Sequence, residues 1–273
     1  MNSEEYELIK KKIRQLINLD LDNYRANQMM RRLDGFIARN NAKNVTQYCG
    51  IIEHDASELA KLQDFLTINV SEFFRDIPYF TNLEQVILPS LMKFSSKLNI
   101  WSAGCSNGSE AYSVAMILDK IAPFGSHKIS GSDIDDGSLK RAMAGGPYSI
   151  SDVKNVPPHY LSRYFQQTNG NYQVVEGIRK TVRFKKQDLL CDTFENNFDL
   201  IICRNVVIYF SDEAKKKLKK KFYDSLKSHG VLFIGATETM LDAQNLGFQK
   251  IHPGFYQKTV ETVSDRVRVL QSV

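Results

Sequence analysis

Apolar residues recur at helical spacing through residues 4–66: Tyr6, Ile9, Ile13 and Ile17, then Met29, Leu33 and Ile37, with almost no β-branched runs between them. The spacing predicts a small helical domain over residues 1–66. From about residue 96 the pattern changes. Short apolar runs alternate with helical stretches: KLNIWSAG, EAYSVAMILDKIA, HKISGSDID and GSLKRAMAG, then FDLIICRN, a Lys-rich helix from about Asp212 to Ser228, and GVLFIGAT. Such alternation predicts a doubly wound α/β sheet filling residues 91–273, with its ligand in the crevice at the carboxyl ends of the strands. Residues 67–90 read as a linker between the two. The stretch of about 148–186 breaks the rhythm, and its candidate strands NYQVVEG and KTVRFK predict a small β insertion. The segment FQKIHPGFYQK reads as an antiparallel hairpin around Pro253 and Gly254 that closes the sheet.

Composition narrows the class. The 273 residues are 42% hydrophobic and 25% charged, an ordinary balance for a chain that buries a real core. The start lacks a secretory apolar stretch, and no uninterrupted apolar run reaches the roughly 18 residues of a membrane span. A cytoplasmic chain without membrane insertion is expected. Cys49, Cys105, Cys191 and Cys203 are scattered, with no C-x-x-C pair and no histidines at ligand spacing, so neither disulfides nor a metal site is expected. The net charge of +5 is mild and would suit an acidic protein surface as readily as nucleic acid. Its distribution says more. Between positions 10 and 43 nine Lys and Arg residues face three Asp, either a solvated helix face or a docking surface for an acidic partner. The run AKKKLKKKF at 214–222 reads as the exposed side of a helix.

The stretch WSAGCSNGSEAYS carries the first candidate chemistry. Gly104 and Gly108 bracket Cys-Ser-Asn, so the backbone can turn tightly between strand and helix and let a ligand approach closely. Gly-Ser-Glu stands where a triphosphate loop needs Gly-Lys-Ser/Thr, and Glu110 would repel a pyrophosphate at the helix start. The same carboxylate can accept hydrogen bonds from ribose hydroxyls or an ammonium. Other strand ends add to it. Asp133 closes the second strand, where an acid can take both hydroxyls of a ribose. Asp188 follows another strand and could accept from an adenine amino group, and Asn205 after FDLIICR offers an amide that donates and accepts. Polar residues converging from separate strands suit an adenosine derivative that needs no phosphate cradle, a description S-adenosylmethionine fits.

NVSEFFRD (69–76), WSAGCSNGSEAYS, SDID, FDLIICRNVVIYF and GVLFIGATE, in that order, resemble the CheR family of chemotaxis receptor glutamate methyltransferases. With the helical N-terminal region the resemblance covers nearly the whole chain. The FFRD and CRNV-IYF motifs are specific to that family, whereas the glycine turn is shared with many methyltransferases. The resemblance implies a class I methyltransferase fold in the α/β class and S-adenosylmethionine as donor, leaving S-adenosylhomocysteine. It implies as acceptor the glutamates on the cytoplasmic helices of chemoreceptors, with the basic helical domain helping to dock them. Carried over by position, Asn69, Ser71 and Arg75 match the donor-contacting segment, with Ser71 where threonine is usual. Gly104 belongs to the donor turn, Glu110 to its second glutamate position and Asp133 to the ribose acid. Asp188 and Leu189 match the adenine-side pair, Asn205 and Val206 the methionine side, and Tyr209 lies near the reacting methyl. Arg75 and Tyr209 are thus the expected catalytic positions. Ser109 and Ala111 depart from the family's Glu and Pro.

In this family the β insertion faces the receptor, and some members use it to grip a tethering peptide at the receptor's C-terminus. QQTNGNYQVVEGIRK (166–180) looks shorter than in those members, so the expected member needs no tether. The chain is read as a monomer, and no nucleic-acid partner is expected. Two rival readings are a class I methyltransferase acting on RNA or a small molecule, and a non-catalytic module that binds S-adenosylmethionine. The basic N-terminal region permits RNA, but the sequence carries no recognisable RNA-binding motif.

Overall fold

The computed structural model describes residues 1–40, 42–67, 71–123, 125–235 and 238–259. They form two units, one of residues Met1–Asn69 with Val206–Leu218, the other of Val70–Asn205 with Lys219–Val273.

The first unit is helical: α1 (Ser3–Ile17), α2 (Ala26–Arg39), α3 (Val45–His54) and α4 (Ala56–Thr67). Asn2 and Glu5 close a reciprocal capping box at the start of α1, each side chain accepting from the other's backbone N–H. Asn18 ends the helix in a left-handed conformation. Tyr6, Ile9 and Ile13 on α1 are buried, as are Met29, Leu33, Phe36 and Ile37 on α2, so the predicted stripes are the core-facing ones. The sequence places residues 206–218 in the α/β domain, whereas the structure groups them here. The Arg25 N–H donates to the Tyr209 carbonyl at 2.9 Å, the Ser211 N–H donates to the Asn23 carbonyl at 2.8 Å, and Phe210 meets Tyr24 edge-on at 5.2 Å. Contacts to residues some 190 positions earlier leave no periodic trace in a local window.

In the second unit, α5 (Ile77–Asn82) runs through one wide turn (Leu83–Ile87) into α6 (Leu88–Met92). Phe73, Phe74, Phe80, Leu83, Ile87, Leu88 and Leu91 are all buried in one cluster with the sheet. The expected linker is therefore a core-forming helical segment. Strands β1 (Asn99–Ala103) and β2 (Lys128–Asp133) flank α7 (Ser109–Ile121), and α8 (Asp136–Ala144) follows. Asp135 caps α8 by accepting from the Ser138 N–H, and Gly145 ends it at φ 72°. Next come α9 (Ile150–Val153), α10 (Pro158–Tyr164), β3 (Phe165–Thr168), β4 (Asn171–Val174), α11 (Glu176–Arg179) and β5 (Val182–Lys186). Strand β6 (Phe198–Cys203) precedes α12 (Asp212–Ser225), and β7 (Leu226–Ile234), β8 (Phe248–His252) and β9 (Phe255–Lys258) complete the described chain.

Seven strands make one sheet in the order β5-β2-β1-β6-β7-β9-β8. The first five are parallel, and β9 and β8 run antiparallel as the expected hairpin, with Gly254 at φ 79° in its turn. Strand β6 is buried along its whole length, as a central parallel strand covered on both faces must be. The insertion differs from expectation. KTVRFK is not part of it: β5 pairs in parallel with β2, from Ile129–Val182 to Asp133–Lys186, as an edge strand of the main sheet. The insertion's own hairpin is β3 with β4, joined by Asn169 and Gly170, both at positive φ. A short mixed strand such as β5 shows no partner in its sequence, and only the sheet edge supplies one.

The core at the antiparallel side centres on Phe233, which is fully buried and stacks on Phe255 at 4.1 Å. Phe233→Ala should lower the unfolding free energy by about 3–5 kcal/mol. Urea titration followed by the fluorescence of Trp101, the sole tryptophan, measures it.

Candidate functional site

The carboxyl ends of β1, β2 and β6 lie side by side because these strands are parallel neighbours. The chain leaves β1 through Gly104 (φ 79°), Ser106 (φ 47°) and Gly108 (φ 84°) before α7 begins. The N–H groups of Gly104 and Cys105 donate to the Ser132 carbonyl at 2.8 and 2.9 Å, which ties the turn to β2. Asp133 at the end of β2 ties it again: its carboxylate accepts from the Ser106 N–H at 2.7 Å and from the Asp135 N–H at 3.0 Å. Burial pushes this carboxyl above the ordinary range, and the backbone donors oppose the shift. The Ile134 N–H adds to these donors, and because a carboxylate has about four acceptor sites, capacity is left for a ligand hydroxyl.

Glu110, in the first turn of α7, accepts from the Ser102 hydroxyl at 2.7 Å and faces the Arg204 guanidinium at 3.5 Å. Burial raises its pKa, and the Arg204 charge acts against that rise. Arg204, just past β6, also donates to the Asp76 carboxylate at 2.5 Å and to the Arg75 carbonyl at 3.1 Å. Its guanidinium lies 5.5 and 4.8 Å from the ring centres of Phe80 and Phe233. Phe74 and Asp76 both adopt positive φ, 51° and 62°, in this turn. The two acids nearest Arg75 in sequence have other partners: Glu72 takes Lys154 at 2.8 Å and Asn155 at 2.9 Å, and Asp76 takes Arg204.

Asn205 stands at φ 60°, and its N–H donates to Glu238 at 2.9 Å; the Gly235 N–H reaches the same oxygen at 2.8 Å. Glu238 thus joins the ends of β6 and β7. On the other flank, Asp188 caps its own turn by accepting from the Leu190 N–H at 2.8 Å. Leu189 is buried, and its carbonyl accepts from Lys221 at 2.9 Å. The Gln187 N–H donates to the Asp133 carbonyl at 2.8 Å and links this flank to β2. Ser71 is half-buried. Asn69 falls outside the described residues. Val206 and Tyr209 belong to the helical unit, where the Arg32 guanidinium lies 5.1 Å from the Tyr209 ring centre.

The structure therefore brings Glu110 and the Arg75 turn together through Arg204, and the glycine turn together with Asp133. The sequence pointed to Asp76 only as a candidate partner of Arg75, and assigned no role to Arg204, Ser102 or Glu238. A charge directly after the apolar run FDLIIC was the available signal for Arg204; nothing local marks Ser102 or Glu238.

Acids and an amide at and just past the carboxyl ends of adjacent parallel strands, beside a turn built on positive φ, offer hydrogen-bond acceptors of the kind that S-adenosylmethionine, with its hydroxyls and amino groups, requires. Fold and site define a class I S-adenosylmethionine-dependent methyltransferase. Residues 69–254 match the family described as CheR methyltransferase, SAM binding domain, and residues 4–67 match CheR methyltransferase, all-alpha domain. The chain belongs to the CheR methyltransferase family. It is 37% identical over 244 residues to a chemotaxis protein methyltransferase of Listeria monocytogenes, covering 89% of this chain and 93% of that one. A chemotaxis protein methyltransferase of Borreliella burgdorferi is 34% identical over 241 residues, covering 83% of this chain and 84% of the other. Among solved structures, a TehB-like SAM-dependent methyltransferase from Corynebacterium glutamicum is similar at a TM-score of 0.36, with 16% identity over 59% of this chain and 77% of that one. Among the described residues, no helix is long and apolar enough to cross a membrane.

Gly108 is the tightest point of the turn: a Cβ there would stand 2.9 Å from both Ala142 and Phe184. Gly108→Ala should cost about 2–5 kcal/mol of stability, left-handed strain and displaced contacts together. Gly170→Ala has the same sign of φ but nothing within 4 Å of the new Cβ. It should cost only about 1–2 kcal/mol, and urea midpoints of the two variants compare them directly.

Proposed function

We propose that the chain methylates glutamate side chains on the cytoplasmic helices of chemoreceptors, forming glutamyl methyl esters that serve sensory adaptation. The enzyme is then a cytoplasmic protein-glutamate O-methyltransferase acting as a monomer. The observation that carries this reading is the match of both the helical and the donor-binding domain to one family whose relatives bear the name chemotaxis protein methyltransferase. The site chemistry agrees. A glutamate with an ordinary pKa of about 4.3 is ionised at neutral pH, so no residue has to remove its proton. Bound S-adenosylmethionine supplies an electrophilic sulfonium methyl. The chain supplies alignment, an effect that can contribute roughly 7–11 kcal/mol.

Glu110 and Asp133 would hold the amino-acid and ribose portions of the donor, with Asn69, Ser71, Gly104, Asn205 and Val206 beside it and Asp188 and Leu189 on the adenine side. Arg75 would orient the incoming carboxylate through its planar fork of donors, and Tyr209 would border the reacting methyl. The basic stretch 10–43 of the helical unit, nine Lys and Arg against three Asp, suits an acidic helical partner. The two-residue Asn169–Gly170 turn between β3 and β4 supports docking without a tethering peptide.

Transfer of radiolabelled methyl to receptor-bearing membranes, followed by mild alkali, tests the activity. Volatile, base-labile label on a receptor band is expected; base-stable label, or label in RNA, sinks the proposal. Arg75→Ala should reduce turnover by about 10²-fold with a smaller effect on S-adenosylhomocysteine affinity, as calorimetry beside initial rates would show.

The pH dependence has a defined sign. Burial raises both Glu110 and Asp133, so their protonated forms are favoured by folding. Whatever stability they contribute is present at low pH and lost as pH rises through the folded pKa. Donor binding through ionised acceptors runs the other way and should weaken on acidification above the usual carboxylate range. Calorimetric donor affinity and the apo unfolding midpoint, measured over one pH series, should therefore diverge on the acid side.

A further inference from the structure

The Arg204 guanidinium is buried in the α/β unit, its side chain only 2% exposed. Burying a guanidinium is unfavourable by several kcal/mol unless its donors are well matched. Its two terminal nitrogens are matched from two separate parts of the chain, while the buried Nε has no hydrogen-bond partner among the described residues. One terminal nitrogen faces Glu110, 94 residues away in sequence; the other donates to Asp76 and to the Arg75 carbonyl, 128 and 129 residues away. The ring centres of Phe80 and Phe233 lie 5.5 and 4.8 Å from the group. A lysine could serve one of these directions, because its single ammonium lacks the rigid fork.

The 74–76 turn needs such a tie. Two non-glycine residues at positive φ, Phe74 and Asp76, disfavour it by about 1–2 kcal/mol each. A strained turn persists only when its surroundings over-determine it. The Phe74 N–H donates to Ser113 on α7 at 3.1 Å, and Arg204 takes the next carbonyl and the next carboxylate. The backbone that carries Arg75 is thus held at the residue itself and on both sides.

We propose that Arg204 is a positioning residue for methyl transfer: it locks the Arg75 turn and Glu110 into one frame, so that the acceptor-orienting and donor-holding groups keep a fixed relation. The inference rests on the reading above, in which Arg75 orients the acceptor and Glu110 holds the donor. Arg204 acts through these two and touches neither reactant. Its Glu110 arm also opposes the upward pKa shift that burial imposes on that carboxyl. Glu110 is otherwise faced by the Ser102 hydroxyl on β1, by the Glu238 carboxylate after β7, and by the buried thiols of Cys105 and Cys203. Arg204 is the only cation among these groups.

The two arms can be separated. Asp76→Asn loosens the Arg75 arm while keeping a residue that tolerates left-handed backbone, and the Asp76 side chain is 38% exposed, so the fold should survive. It should lower kcat about ten- to a hundredfold at unchanged S-adenosylhomocysteine affinity. Arg204→Lys weakens the Glu110 arm and should move the acid limb of S-adenosylhomocysteine binding to higher pH. A merely structural Arg204 would lower the unfolding midpoint without moving that limb. Asp76→Asn with wild-type kcat, or Arg204→Lys with an unmoved acid limb, overturns the proposal; if Arg204→Lys does not fold, Asp76→Asn decides alone. Glu110→Gln and Arg75→Ala serve as the reference pair. Wild-type donor affinity in the first, or wild-type turnover in the second, would instead overturn the assignment of those residues.

Discussion

Strand β1 pairs in parallel on both sides, with β2 and with β6, and the whole donor side of the α/β unit depends on that arrangement. Three parallel neighbours end at one edge, so the segments that follow them must turn there. The turn after β1 cannot spread, because Gly104 and Cys105 bond to the last carbonyl of β2 before Asp133 and Asp133 bonds back to Ser106. Shape is thereby set by backbone bonds together with the Asp133 carboxylate, which leaves Glu110, Asp133 and Asn205 positioned by strands and turns that have little freedom.

Burial is the second constraint. Carboxylates at the ends of central strands lose much of their water, and the structure offsets the loss with oriented N–H groups at Asp133 and with a guanidinium at Glu110. These solutions differ in reach. Backbone donors stabilise one carboxylate locally, whereas Arg204 connects three chain segments, which is why an arginine stands where a shorter donor would have satisfied Glu110 alone.

Much of this was legible in the chain. The stripes Tyr6–Ile9–Ile13 and Met29–Leu33–Ile37, the glycine turn, the β8–β9 hairpin and the acids at strand ends all follow from local periodicity and turn chemistry. What escaped was non-local. Strand β5 owes its place to an unfilled sheet edge, and residues 73–91 owe theirs to apolar packing against the sheet, neither of which has a period. Ser102 on β1 and Glu238 past the end of β7 entered the site as partners of residues already suspected, through a register and a fold that no single sequence displays.

The assignment of Val206–Leu218 to the helical unit has a consequence for the architecture as a whole. The two units are interleaved, since the chain leaves the α/β unit after Asn205, completes the helical one, and returns at Lys219. A fragment cut at residue 69 would carry Phe210 stripped of Tyr24 and a Tyr209 carbonyl stripped of the Arg25 N–H. The stretch that follows Asn205 thus takes its shape from the first twenty-five residues of the protein. Truncation would strip the segment bearing Tyr209 of its packing partners as surely as it removed the helices.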